Sequence, residues 1–105
     1  MKYENIAIDI GDDFVAQLTL HRPEQYNTFN TPMARELDNA LRELDAERRV
    51  RVILLRGAGK AFSAGIDLKE FPDQTPMEYR EWIETMERPL GTISRMNKPV
   101  VAQVH

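Results

Sequence analysis

The residue types best suited to chemistry lie in one stretch, Val52 to Phe71, "VILLRGAGKAFSAGIDLKEF". A branched apolar run, Val52 to Leu55, gives way to Gly57, Gly59 and Gly65, with Lys60 and Ser63 among them. Glycines after a buried strand can cradle phosphate, and two such patterns are testable. The dinucleotide fingerprint G-x-G-x-x-G is met by Gly57 and Gly59, but its third glycine position holds Phe62. The P-loop needs a glycine where Leu54 stands and a hydroxyl residue where Ala61 stands. Both patterns fail, so a Rossmann site and nucleoside-triphosphate chemistry are set aside.

Presentation of backbone donors is a second possibility. Gly65 can adopt angles closed to other residues, which would let the Ile66 N–H turn outward. Asp67 suits the N-cap of a short helix through Leu68, Lys69 and Glu70. Free N–H groups and a partial positive charge collect at such a start. One amide donor aimed at a carbonyl oxygen gaining charge is worth ~2.7–4 kcal/mol to a transition state. Lys60 and Lys69 flank the segment and could meet phosphates. On residue types alone, a glycine turn with two surface lysines is the simpler competing account.

The elements that must position this stretch are legible from periodicity. "NIAIDI" and "FVAQLTL" alternate in part and are separated by Gly11-Asp12-Asp13, which predicts a β-hairpin. Asp9, Asp12 and Asp13 read as a solvated turn, because calcium-loop spacing is missing. Pro23, Asn27 and Asn30 mark a loop. Thr31-Pro32 then opens a helix with Thr31 as N-cap, and Met33, Leu37, Ala40, Leu41 and Leu44 share one face. Val50 to Arg56 is apolar without alternation, which predicts a strand covered on both faces. Thr75 and Glu78 form a capping box. A helix follows with Tyr79, Trp82, Ile83, Met86, Leu90, Ile93 and Met96 at helical spacing, and Pro89 should kink it or break it in two. "VVAQVH" starts a final strand. The fold class is therefore α/β.

Composition narrows the function classes. The 105 residues suit one small domain. A net charge of −3 argues against a nucleic-acid surface. Without cysteine there is no disulfide and no thiolate metal site, and no metal ligand set is expected. The N-terminal "MKYENIAIDIGDD" is broken by acidic residues too early for a signal-peptide core. The apolar runs fall short of the ~20 residues of a membrane helix. A cytoplasmic protein without membrane or nucleic-acid partners is expected.

Three blocks, "HRPEQYNTFNTPM", "VRVILLRGAGKAFSAGIDLKEF" and "NKPVVAQVH", resemble the enoyl-CoA hydratase/isomerase family, or crotonase superfamily, in order and spacing. The resemblance implies a spiral of ββα units, of which residues 1–105 form the N-terminal segment of a single domain, incomplete at the C-terminus. It implies acyl-CoA thioester substrates, enolate stabilisation by two backbone N–H groups, and homotrimers or hexamers when the protein is complete. Coenzyme A then belongs to the substrate, and no separate cofactor is implied.

By the same resemblance the Ile66 N–H is the first donor, and the residue after Gly65 is the one the residue types had singled out. The Ala64 carbonyl would lie against the CoA adenine. Gln25, Tyr26 and Thr28 would line the CoA channel, and Lys60 and Lys69 would approach the phosphates. Phe71, Met86 and Leu90 are expected at the acyl pocket by position, with core packing as their alternative role.

Some positions depart from the family. Thr28-Phe29 replaces a small apolar pair, Glu24 stands where a basic residue is common, and His21 replaces a frequent asparagine. His21 reads as a strand-end residue. His105 reads as a backbone position just before the second donor. The two hydratase glutamates would lie beyond His105. Glu70, Glu78, Glu81, Glu84 and Glu87 match neither, and the last four read as helix surface. Hydratase or isomerase activity is therefore expected of the complete enzyme and not of these 105 residues alone. The alternative is a non-catalytic CoA-binding or assembly fragment.

Overall fold

Alternation in the first two strands dictates a sheet with one covered face. β1 (Ile6–Ile10) and β2 (Val15–Leu20) form the expected antiparallel hairpin, pairing Ile6 with Leu20 and Ile10 with Ala16. The computed structural model describes residues 3–70 and 75–105. A 3-10 turn at Pro23–Gln25 leads into helix α1 (Thr31–Ala46) and strand β3 (Val52–Gly57). A second 3-10 turn at Leu68–Glu70 precedes helix α2 (Pro76–Arg95) and strand β4 (Val100–Gln103). The sheet order is β1-β2-β3-β4, and β3 runs parallel to both β2 and β4. Parallel neighbours require a crossover, and α1 and α2 supply the two.

The register sets Ala16 beside Ile53 and Leu18 beside Leu55, so these side chains share one side of the sheet. That side packs on α1, whose Met33, Leu37, Ala40, Leu41 and Leu44 are at most 3% exposed. Each fully buried Leu or Ile contributes about 1.5–3 kcal/mol, which makes this interface the main stabilising contact. The expectation that β3 is covered on both faces is not met. Val52 and Leu54 are half-buried, and Val101 on the same side is 53% exposed. A branched apolar run identifies a strand but not what lies over its second face.

The start of α1 also corrects the sequence expectation. The N-cap is Asn30, whose Oδ1 accepts from the Met33 N–H at 3.0 Å. Thr31 and Pro32 are the first helical residues, and the Thr31 hydroxyl donates to Glu70 at 3.2 Å. Asn30 wins because its backbone is extended (φ −109°, ψ 174°), which aims its side chain at the free amides.

The capping box of Thr75 and Glu78 forms as expected. Pro89, however, does not break α2 in two, and the helix runs through it. The proline removes one N–H, the one that would serve the Thr85 carbonyl. Thr85 and Pro89 are both buried in the continuous helix. The packing seam differs as well. Trp82, Thr85, Pro89 and Thr92 are the buried positions of α2, while Leu90 is 68% exposed. The Thr92 hydroxyl donates to buried Asp38 on α1, which also pairs with Arg42 at 3.0 Å. The longer apolar residues Met86, Leu90 and Ile93 are left beside this seam.

Among the described residues no helix is long and apolar enough to cross a membrane. Leu41→Ala should cost about 2–5 kcal/mol in urea unfolding, because it opens a cavity between α1 and the sheet. Leu90→Ala should stay within about 0.5 kcal/mol of the unsubstituted protein.

Candidate functional site

The loop after β2 curls because two consecutive residues adopt left-handed angles, Tyr26 at φ 52° and Asn27 at φ 55°. Asparagine tolerates that region better than most residues. The curl turns the Asn27 side chain inward, where it is fully buried. Its Oδ1 accepts from the Arg22 N–H at 2.7 Å. Its Nδ2 donates to the carbonyls of Ala58 and Ala61, each at 2.8 Å. The Ser63 hydroxyl donates to the Asn27 carbonyl at 2.8 Å. One amide thus fastens the Arg22–Phe29 loop to the glycine loop. Gly57 is required by that closeness, since a Cβ there would sit 2.5 Å from the Phe62 carbonyl oxygen.

A short ladder continues the attachment. The Ala64 N–H donates to the Tyr26 carbonyl at 2.9 Å, the Phe29 N–H to the Gly65 carbonyl at 2.7 Å, and the Asp67 N–H to the Phe29 carbonyl at 2.8 Å. Phe29 and Ile66 make a parallel bridge. A trans peptide points its C=O and N–H in opposite directions, and no cis peptide occurs among the described residues. The Gly65 carbonyl faces Phe29, so the Ile66 N–H of the same peptide faces away from it. Among the described residues nothing accepts from that N–H. Gly65 takes φ 103°, and a Cβ there would meet nothing within 4 Å. Conformation, not space, therefore requires glycine. The Gly65 N–H donates to the Ser63 hydroxyl at 3.1 Å, which turns the Ala64 carbonyl the other way.

Asp67 caps the second 3-10 turn as expected, its Oδ1 accepting from the Lys69 N–H at 3.0 Å. Its other oxygen pairs with Arg22 at 3.4 Å, with side chains only 12% and 14% exposed. The Arg22 guanidinium also donates to the Thr28 carbonyl and, at 3.3 Å, to the Thr28 hydroxyl. Glu70 accepts from the Thr31 N–H at 2.9 Å and from Trp82 Nε1 at 3.1 Å, tying the turn to both helices.

Gly65, Ile66, Met86 and Leu90 are brought together on a mainly apolar cleft of about 500 Å³. Phe29, Leu55, Phe62 and Ile93 complete much of its wall. Glu87, expected as helix surface, is exposed, yet it is also the single ionisable residue on the described lining. Phe71, expected at the acyl pocket, lies outside the described residues. Tyr26 and Lys60 meet at a separate shallow depression with Pro23, Glu24 and Gly59. Gln25 closes the first 3-10 turn and Lys69 stands on the second, both exposed. Neither Lys60 nor Lys69 has an ion-pair partner among the described residues. His105 reaches the glycine loop, with Nε2 3.0 Å from the Gly59 carbonyl and its own carbonyl 3.4 Å from the Phe62 N.

Sequence reasoning missed Arg22 and Glu70 as organisers of this region. No periodicity marks either residue. The available signal for Arg22 was a cation in a loop otherwise built of turn formers, facing an acidic N-cap. Asn27→Ala should leave the Arg22 amide and two carbonyls without partners, at a cost of roughly 2–4 kcal/mol. Denaturant unfolding checks the loss, and faster hydrogen exchange at the Phe29 and Asp67 amides checks its location.

The enoyl-CoA hydratase/isomerase family model matches residues 11–105. A probable enoyl-CoA hydratase of Mycobacterium leprae is 43% identical over 75 residues, which are 71% of this chain and 29% of that protein. The mitochondrial Delta(3,5)-Delta(2,4)-dienoyl-CoA isomerase of Rattus norvegicus is 29% identical over 98% of this chain and 35% of its own. The solved enoyl-CoA hydratase of Mycobacterium smegmatis superposes with a TM-score of 0.91 at 32% identity, over 97% of this chain and 40% of that one. A putative enoyl-CoA hydratase/isomerase (crotonase) of Legionella pneumophila gives 0.90 at 31% identity, over 96% and 40%. The chain thus spans well under half the length of these relatives. The match across residues 11–105, on a fold shared with crotonases, places this chain in the enoyl-CoA hydratase/isomerase family.

Proposed function

We propose that residues 1–105 are the N-terminal segment of a crotonase-type enzyme that processes acyl-CoA thioesters as an enoyl-CoA hydratase or isomerase. The observation that carries this reading is the Ile66 N–H, without an acceptor among the described residues and turned away from Phe29 beside an apolar cleft. A thioester oxygen is the acceptor it suits. As the oxygen gains charge on the way to an enolate, a fixed amide dipole stabilises it without reorganising. A second N–H donor and the groups that move protons come, in this reading, from chain following β4. The position of His105 beside the glycine loop supports that supply.

The acyl group occupies the cleft against Met86 and Leu90. The CoA portion runs past Gln25, Tyr26 and Thr28, its adenine at the Ala64 carbonyl and its phosphates near Lys60 and Lys69. Lysine serves phosphate as a compact point charge. The complete protein is read as a cytoplasmic homotrimer or hexamer that uses no further cofactor.

In the complete protein, Ile66→Pro removes the donor and should lower kcat on crotonyl-CoA by roughly 10²–10³-fold. Ile66→Ala keeps the N–H and should change kcat less than about 10-fold. Equal losses in steady-state assays would contradict a backbone role. The purified 105-residue chain, verified by intact mass, should not hydrate crotonyl-CoA at all. CoA binding by this chain in calorimetry, with the complete protein inactive, would support a non-catalytic binding segment instead.

A further inference from the structure

The mechanism proposed above leaves Arg22, a largely covered cation, unused. The Arg22 side chain is 14% exposed and lies beside Asp67, one residue past Ile66. Its hydrogen bonds trace a path to Ile66. The guanidinium donates to the Thr28 carbonyl. The N–H across that same peptide belongs to Phe29, and it donates to the Gly65 carbonyl at 2.7 Å. The N–H across the next peptide belongs to Ile66. Two trans peptides therefore stand in series, each accepting on one side and donating on the other.

We infer that Arg22 is a positioning residue for the Ile66 N–H, acting through the Thr28–Phe29 and Gly65–Ile66 peptides. This inference rests on the reading of Ile66 as the thioester donor. The physical basis is twofold. First, each bond fixes the plane of the next peptide, so the direction of the Ile66 N–H depends on where Arg22 is held. Asp67 holds it, and the Asp67 N–H itself bonds the Phe29 carbonyl at 2.8 Å. Secondly, hydrogen bonds in series polarise one another, by roughly 10–30% per bond. A cation at the head draws density from the Thr28 carbonyl. That strengthens the Phe29 N–H as a donor, polarises the Gly65 carbonyl and strengthens the Ile66 N–H. Charge at Arg22 thus reinforces the donor just when the thioester oxygen becomes negative.

The test uses the complete protein with crotonyl-CoA and three variants, Arg22→Lys, Arg22→Gln and Arg22→Met. Arg22→Met should lower kcat on the order of 10- to 100-fold, the size expected when a catalytic group is misplaced. KM should change less than about threefold, because the interaction is realised chiefly in the transition state. Arg22→Lys keeps the charge and should recover part of the loss. Arg22→Gln keeps a neutral donor and should recover less than lysine does. The infrared carbonyl stretch of bound crotonyl-CoA gives a separate readout. It should shift down on binding to the unsubstituted protein and shift less in the glutamine and methionine variants.

Unchanged kcat in Arg22→Gln and Arg22→Met overturns the inference. So does a loss that falls on KM, with no lysine rescue and an unmoved carbonyl stretch, since that pattern is a general structural defect. If Arg22→Met does not fold, the comparison of lysine with glutamine decides. If the unsubstituted protein processes no acyl-CoA, the proposed function fails, and hydrogen exchange decides on Arg22 by itself. Faster exchange at the Phe29 and Asp67 amides in Arg22→Gln supports the positioning path, and unchanged exchange overturns it.

Discussion

Asn27 is the contact on which the site depends. Its side chain has no route to water, so each of its polar atoms must find a partner inside the protein. It meets that demand only by gripping two loops at once, through the Arg22 amide on one side and the Ala58 and Ala61 carbonyls on the other. Everything nearer the cleft follows from that closure. Phe29 comes level with Ile66, their peptides pair, and Gly65 takes the positive φ that pairing requires. An exposed glycine loop would otherwise lose considerable backbone entropy to hold one amide in one direction.

The layers behind the loops explain why the cleft exists. α1 presents its apolar face to the sheet and is used up there. α2 joins α1 through Trp82, Thr85, Pro89 and Thr92, and the polar pair of Asp38 and Thr92 fixes that seam. Met86, Leu90 and Ile93 lie outside that buried set and border the space beside Ile66. Glu70 then links the end of the glycine segment to the start of α1 and to Trp82, so loop and helices hold one arrangement. An apolar wall beside a fixed amide is the setting in which a single hydrogen bond carries weight, because little water competes for the oxygen.

Much of this was legible in the sequence where the signal is local. Alternation gave the hairpin, the Thr75–Glu78 pair gave the capping box, and Gly65-Ile66-Asp67 marked both the special angle and the short turn that follows. Signals that depend on distant partners were not legible. Asn30, extended and aimed at the free amides, is the N-cap in place of Thr31, whose hydroxyl is taken by Glu70 far along the chain. Pro89 sits buried within an unbroken α2, which residue type alone does not reveal. The seam departs from the apolar stripe because Thr85 and Thr92 are satisfied while buried, one by the Glu81 carbonyl of its own helix and the other by Asp38 of α1. Arg22 escaped notice because its role is defined wholly by the peptides it touches, and residue type says nothing about those.

The central claim is that the Ile66 amide, aimed by the hydrogen bond from the Phe29 N–H to the Gly65 carbonyl of the same peptide, receives a thioester oxygen. The most direct measurement is a crystal structure of the complete protein with a bound acyl-CoA thioester. The account predicts the thioester oxygen about 2.7–3.1 Å from the Ile66 nitrogen, as for other oxyanion donors. The Phe29 to Gly65 bond should be intact in that complex. A thioester seated elsewhere, or an Ile66 N–H turned away from its oxygen, would contradict the account.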